Sequence, residues 1–182
     1  MNAARLDRPP SLIGSFFDFY DRAVRVLVRI AELLTIILAF FITGAMILGV
    51  FFRFVLNSSI VWTDEVCSLL LAVVMFLVSG IGFHDRIHIA VVFLLDRLPP
   101  AGQRVLDVTL HAVSAAFFAL VAVEGMKVAE VGMGMALATA PLPRGVFHLA
   151  IPIGGAFTVL VCLNNIANVV RGREKPQFGG VD

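Results

Sequence analysis

A chain of 182 residues that is 59% hydrophobic and only 15% charged falls well short of the roughly 25% charge of soluble domains. Its formal net charge of +1, with no basic patch carrying interleaved aromatics, excludes a nucleic-acid partner. The apolar residues are collected in long runs, the pattern of an integral membrane protein, and 16 Phe against one Trp and one Tyr suit helices that face lipid.

The first element is amphipathic. Asp18, Arg22, Arg25, Arg29 and Glu32 recur at spacings of three and four, leaving Phe17, Tyr20, Val24, Leu27, Val28 and Ala31 largely on another face. Residues of about 14–30 therefore form an interfacial helix on the inner membrane surface, or the start of a long first helix emerging from it. No small-residue cleavage site follows a short apolar core, so a cleaved signal is not expected here. Leu33 to Phe52 is uncharged, and the first span covers about 30–55 and ends at Arg53.

A polar patch follows, holding Trp62, Asp64 and Glu65. Thr63 is the expected N-cap of the next helix, with both carboxylates in its first turn. The alternative pairs Arg53 with Glu65 across the hairpin, fixing two helices or docking a partner. The second span covers about 65–84. In the connection after it, His84 and His88 are four apart, but no third metal ligand stands at suitable spacing. Residues of about 86–98 have too short an uncharged core to span. They are expected to lie along the membrane and to stop at Pro99 and Pro100.

The third span covers about 105–127; its uncharged core, Val108 to Val123, lies between Asp107 and Glu124. The fourth covers about 145–170, where Pro152 with Gly154 and Gly155 can kink the helix. Cys67 and Cys162 fall at different depths and read as small buried hydrophobes rather than a bridge. His111 and His148 lie at opposite ends of their spans and cannot sandwich a haem.

Eleven of the fourteen basic residues fall in the N-terminal segment, the second connection and the C-terminal tail; Arg53, Lys127 and Arg144 fall on the other side. Both termini are therefore expected in the cytoplasm, with Trp62 at the outer interface and Tyr20 near the inner one. The whole is expected to be one all-α membrane domain of four spanning helices plus interfacial segments.

No Asp, Glu, Lys or Arg interrupts the four uncharged cores. The polar residues towards their middles include Thr43, Ser79, Ser114, Thr158, Asn164 and Asn165. A self-sufficient ion-coupled carrier relies on intramembrane polar groups or paired helix breaks, and here one break stands alone. No phosphate-binding loop or nucleophile–base signature appears, so neither enzyme chemistry nor a cofactor is expected. An accessory subunit fits these features; an autonomous four-helix channel, carrier or anchor is the alternative.

The ordered set "FRFVLNSSIVWTDEV", "LVSGIGFHDRIHIAVVFLLDRLP" and "HLAIPIGGAFTVLVCL" resembles the small membrane subunit of tripartite ATP-independent periplasmic (TRAP) transporters. The family pattern has an Arg ending helix one, Trp-x-x-Glu opening helix two, a His-Ile pair, a Leu-Pro, and Ile-Pro-Ile/Leu-Gly in helix four. Arg53, Trp62, Glu65, His88, Ile89, Leu98, Pro99, Pro152 and Gly154 stand at those positions. The chain departs where the family often has Arg and Asp after the His-Ile pair; Ala90 and Val92 stand there. The resemblance implies a non-catalytic scaffold subunit. Its partners would be a large membrane permease, which carries the substrate and sodium sites, and a periplasmic binding protein that delivers a carboxylate-type solute. It places the complex in a bacterial inner membrane.

Overall fold

The computed structural model describes residues 12–58, 60–85, 99–137 and 143–171. Within them lie helices α1 (Leu12–Phe54), α2 (Val61–His84), α3 (Pro100–Met133), α4 (Gly145–His148) and α5 (Ala150–Val170). No strand occurs among the described residues. Their only extended pairing is an isolated bridge between Ala136 and Pro143, in the turn that brings α3 back to α4. Four helical stretches are long and apolar enough to cross a membrane, with α4 and α5 counted as one. Helix is the expected form for such runs, because hydrocarbon offers no hydrogen-bond partner and a helix satisfies its own backbone.

α1 has 43 residues, about 65 Å of helix, roughly twice the thickness of a bilayer's hydrocarbon core. The amphipathic N-terminal segment is thus the first part of the spanning helix, not a separate interfacial one. Nothing at Glu32 stops it: the segment contains neither Gly nor Pro between Ser15 and Thr43, and charged side chains on one face do not break a helix.

α5 lies at the centre. α2 and α3 pack on it most extensively, and α1 packs along α2 and touches α5 near its own start. Accordingly a third of the most apolar 18-residue stretch of α4–α5 is buried, against 6% for the corresponding stretches of α1 and α3 and 11% for that of α2. The small apolar core joins Val24 and Val28 of α1 to Val161 of α5, with Ile81, Phe83 and Phe157 around them. Elsewhere the outer faces of α1 and α3 expose Phe40, Phe54, Val113, Phe117 and Leu120, the surface a lipid-embedded helix presents.

The α4–α5 break has a local cause. Leu149 N–H bonds to the Gly145 carbonyl and Ile153 N–H to the Leu149 carbonyl. Between them Pro152 has no N–H to give the carbonyl of His148, so the ladder skips a rung. Pro152 and Gly154 are both buried. A Cβ on Gly154 would come within 2.6 Å of Phe76 Cβ, so glycine lets α2 and α5 approach closely.

Candidate functional site

Two polar layers stand at opposite ends of the bundle. Glu65 and Phe83 mark them on α2, about 27 Å apart along the helix, close to the roughly 30 Å of bilayer hydrocarbon.

The first layer is at the α1–α2 turn, where Asn57 takes a positive φ of 50°, a conformation Asn adopts more readily than most residues. Arg53 Nη2 donates to Asp64 Oδ2 at 2.7 Å. Arg144 Nη2, at the start of α4, donates to Glu65 Oε1 at 2.6 Å. The alternative Arg53–Glu65 pair is therefore replaced by two others. Successive helical residues point about 100° apart: Asp64 faces α1 and Glu65 faces α4. The two pairs differ in exposure. The Asp64 side chain is 63% accessible, that of Glu65 only 16%.

Thr63 does not cap α2. The N-cap position is Ile60, with no side-chain hydrogen bond, while Thr63 is buried against Gly49 of α1. Contact between the helices has taken the side chain that a cap would have used. Trp62 is 43% exposed, on the same rim. His148 lies against Gly132 of α3; its Nδ1 is buried without a hydrogen-bond partner among the described residues. His88 and the segment 86–98 lie outside the described residues.

The second layer, at the end where α1 begins and α5 finishes, draws on all four spans. Asp107 of α3 is only 1% exposed. His111, one turn later, directs Nδ1 at the Asp107 backbone carbonyl oxygen (2.9 Å), with the Asp107 Oδ1 nearby at 3.2 Å but not in hydrogen-bonding geometry. Asn165 Nδ2 donates to the Phe83 carbonyl at 2.8 Å and lies 3.1 Å from His111 Nε2. This pattern assigns the ring proton to Nδ1 and leaves Nε2 to accept from Asn165. Beside it, Asp21 Oδ1 accepts from Asn164 at 3.0 Å and from Asn168 at 3.2 Å, and Asp21 also pairs with Arg25. Tyr20 OH donates to the Leu160 carbonyl at 2.9 Å. The Arg171 guanidinium stacks 3.4 Å from the centroid of Phe17, a cation–π contact.

Sequence reasoning took Asp107 only as the boundary of the third span's uncharged core and passed over Asp21 and Asn168. The signals were present. Asn164, Asn165 and Asn168 share one face of α5, and Asp107 and His111 are one turn apart. Between the layers the hydroxyls turn to their own helices: Thr43 bonds to the Ala39 carbonyl at 2.8 Å and Thr158 to that of Gly154 at 2.9 Å. Cys67 and Cys162 are buried free thiols.

Residues 42–172 match the family of tripartite ATP-independent periplasmic transporters, DctQ component. The chain belongs to this family. It is 22% identical over 147 residues to the sialic acid TRAP transporter small permease protein SiaQ of Vibrio cholerae serotype O1, covering 81% of this chain and 85% of that protein. It is 23% identical over 161 residues to a Haemophilus influenzae chain provisionally named a TRAP transporter small permease protein, covering 87% and 94%. This DctQ-family chain is therefore a TRAP small permease subunit, and its four apolar helices are those of a multi-pass membrane protein. The family match omits most of the α1 segment that carries Tyr20 and Asp21.

Proposed function

We propose that this small subunit is a non-catalytic scaffold, which pairs in a bacterial inner membrane with a large permease. That partner would carry the solute and sodium sites and take a carboxylate-type solute from a periplasmic binding protein. The observation that carries this reading is where the polar side chains of the spans point. Thr43, Thr158, Asn164, Asn165, His111 and Asp21 all bond within the chain, knitting the helices together. A transport site presents such groups to a cavity or a discontinuous helix. Here they form a frame.

The orientation belongs to the same reading. The polar layer of Asp21, Asp107 and Asn168 is cytoplasmic, as the basic residues around it demand; the Arg53–Asp64 and Arg144–Glu65 rim is periplasmic. The rim presents the exposed Arg53, Trp62 and Asp64 to a partner, whereas Glu65 faces inward and holds α2 to α4.

Reconstitution tests the proposal. The purified chain alone in liposomes should take up no radiolabelled carboxylate, with or without a sodium gradient. Adding its large permease and binding protein should restore sodium-dependent uptake. Sodium-driven uptake by the isolated chain would reject the scaffold in favour of an autonomous carrier.

A further inference from the structure

Three grooves follow α3 where it meets α4 and α5 among the described residues. Two lie towards the α3–α4 turn. One, of about 340 Å³, is lined by Lys127, Val131 and His148 among others. The other, of about 500 Å³, is lined by Lys127, Glu130 and Pro152 among others. Their shared cation is already neutralised, because Lys127 Nζ donates to Glu124 Oε1 at 2.7 Å, and Glu130 adds a further negative charge.

The third groove differs in charge. It has about 290 Å³ and lies between the first turns of α3 and the last turn of α5, lined by Arg104, Val105, Val108, Thr109, Val169 and Val170. Arg104 is exposed and has no ion pair or hydrogen bond among the described residues. The nearest carboxylate along α3, that of Asp107, is turned into the bundle against His111. Thr109 spends its hydroxyl on the Val105 carbonyl at 2.7 Å, so its methyl remains to line the groove. The result, among the described residues, is one uncompensated guanidinium above a valine-lined trough, at the depth where the second polar layer marks the edge of the hydrocarbon. Guanidinium binds phosphate with two parallel N–H groups, and basic pockets between spanning helices at this depth suit acidic headgroups.

We propose that this α3–α5 groove binds one phospholipid with a net-negative headgroup, its phosphate on Arg104 and an acyl chain along Val105, Val108 and Val170. The inference rests on the groove and its charge alone, so it stands whether or not the partner assignment does.

The test is native mass spectrometry of the full chain released from detergent, titrated with phosphatidylglycerol or phosphatidylcholine of the same acyl length, or with sodium phosphate. One phosphatidylglycerol adduct should be retained about fivefold more strongly than phosphatidylcholine, the factor expected of one cation facing an anionic headgroup. R104Q should remove that preference, R104K should keep part of it, and K127Q should leave it intact. V108F, which fills the trough while sparing the cation, should lower retention of both lipids. Equal retention of the two lipids would overturn the site. So would a preference that survives R104Q, since it would then reside on other arginines such as Arg22 and Arg29. Displacement of the adduct by millimolar phosphate would show a bare anion site without a lipid.

Discussion

At the scale of single residues, two adjacent carboxylates at the start of α2 do different work. Asp64 lies in water with Arg53, and such an exposed pair contributes about 0–1 kcal/mol. Glu65 is largely shielded, and its removal leaves the Arg144 guanidinium without its charge-assisted bond; losses of about 1.5–3 kcal/mol are usual for bonds to charged groups. Glu65→Gln should therefore lower the thermal midpoint in detergent clearly more than Asp64→Asn. In a double-mutant cycle its effect should couple to Arg144→Gln and not to Arg53→Gln. Coupling of Glu65 to Arg53 would show that the rim pairs differently in solution. That the rim holds Arg53, Trp62, Asp64 and Glu65 was legible from their position between two apolar runs. Which carboxylate meets which arginine was not. It depends on a rotation of one residue around α2, and on Arg144 arriving from 79 positions along the chain.

At the scale of elements, the close approaches are local and unequal. A Cβ on Gly145 would stand 2.4 Å from Met133 N and 2.5 Å from the Ala129 carbonyl oxygen, backbone atoms of α3 that cannot swing aside, whereas Gly44 has nothing within 4 Å. Gly145→Ala should thus destabilise by about 1–3 kcal/mol through overpacking. Gly44→Ala should stabilise slightly, by about 0.5–1 kcal/mol, because a mid-helix glycine carries an entropic penalty. Unfolding midpoints of the two variants that moved in the same direction would contradict the packing described here. The four spans themselves were readable because hydrocarbon leaves an uncharged run few options but helix. The limits of α3 were harder to read. Asp107 bounds the uncharged core of that span, and its neighbour His111 meets Asn165 only once α5 is in place. The unbroken course of α1 past Glu32 was ambiguous for a related reason: its first turns are held by Asn164 and Asn168 on a helix more than a hundred residues away.

At the scale of the whole molecule, the orientation can be measured directly. With Cys67 and Cys162 replaced by alanine, a cysteine placed at Asn57 should react with an impermeant maleimide in spheroplasts, and one at Arg173 only after lysis. The reverse pattern would invert the proposed topology. The central position of α5 also has a consequence for biogenesis. The helix against which α3 chiefly packs, and against which α2 packs as extensively as against α1, leaves the ribosome after all three. Until then α1 and α2 can close their hairpin, but α3 must wait in the translocon or the lipid with Asp107 and His111 lacking Asn165. A chain ending at Pro143 should therefore insert its first three helices yet be degraded by membrane proteases well before the full-length protein in a pulse–chase experiment; equal half-lives would mean that α3 finds shelter without α5. Translation order thus makes α5 the quality checkpoint for the helices before it: they are worth keeping only once its 21 residues have arrived.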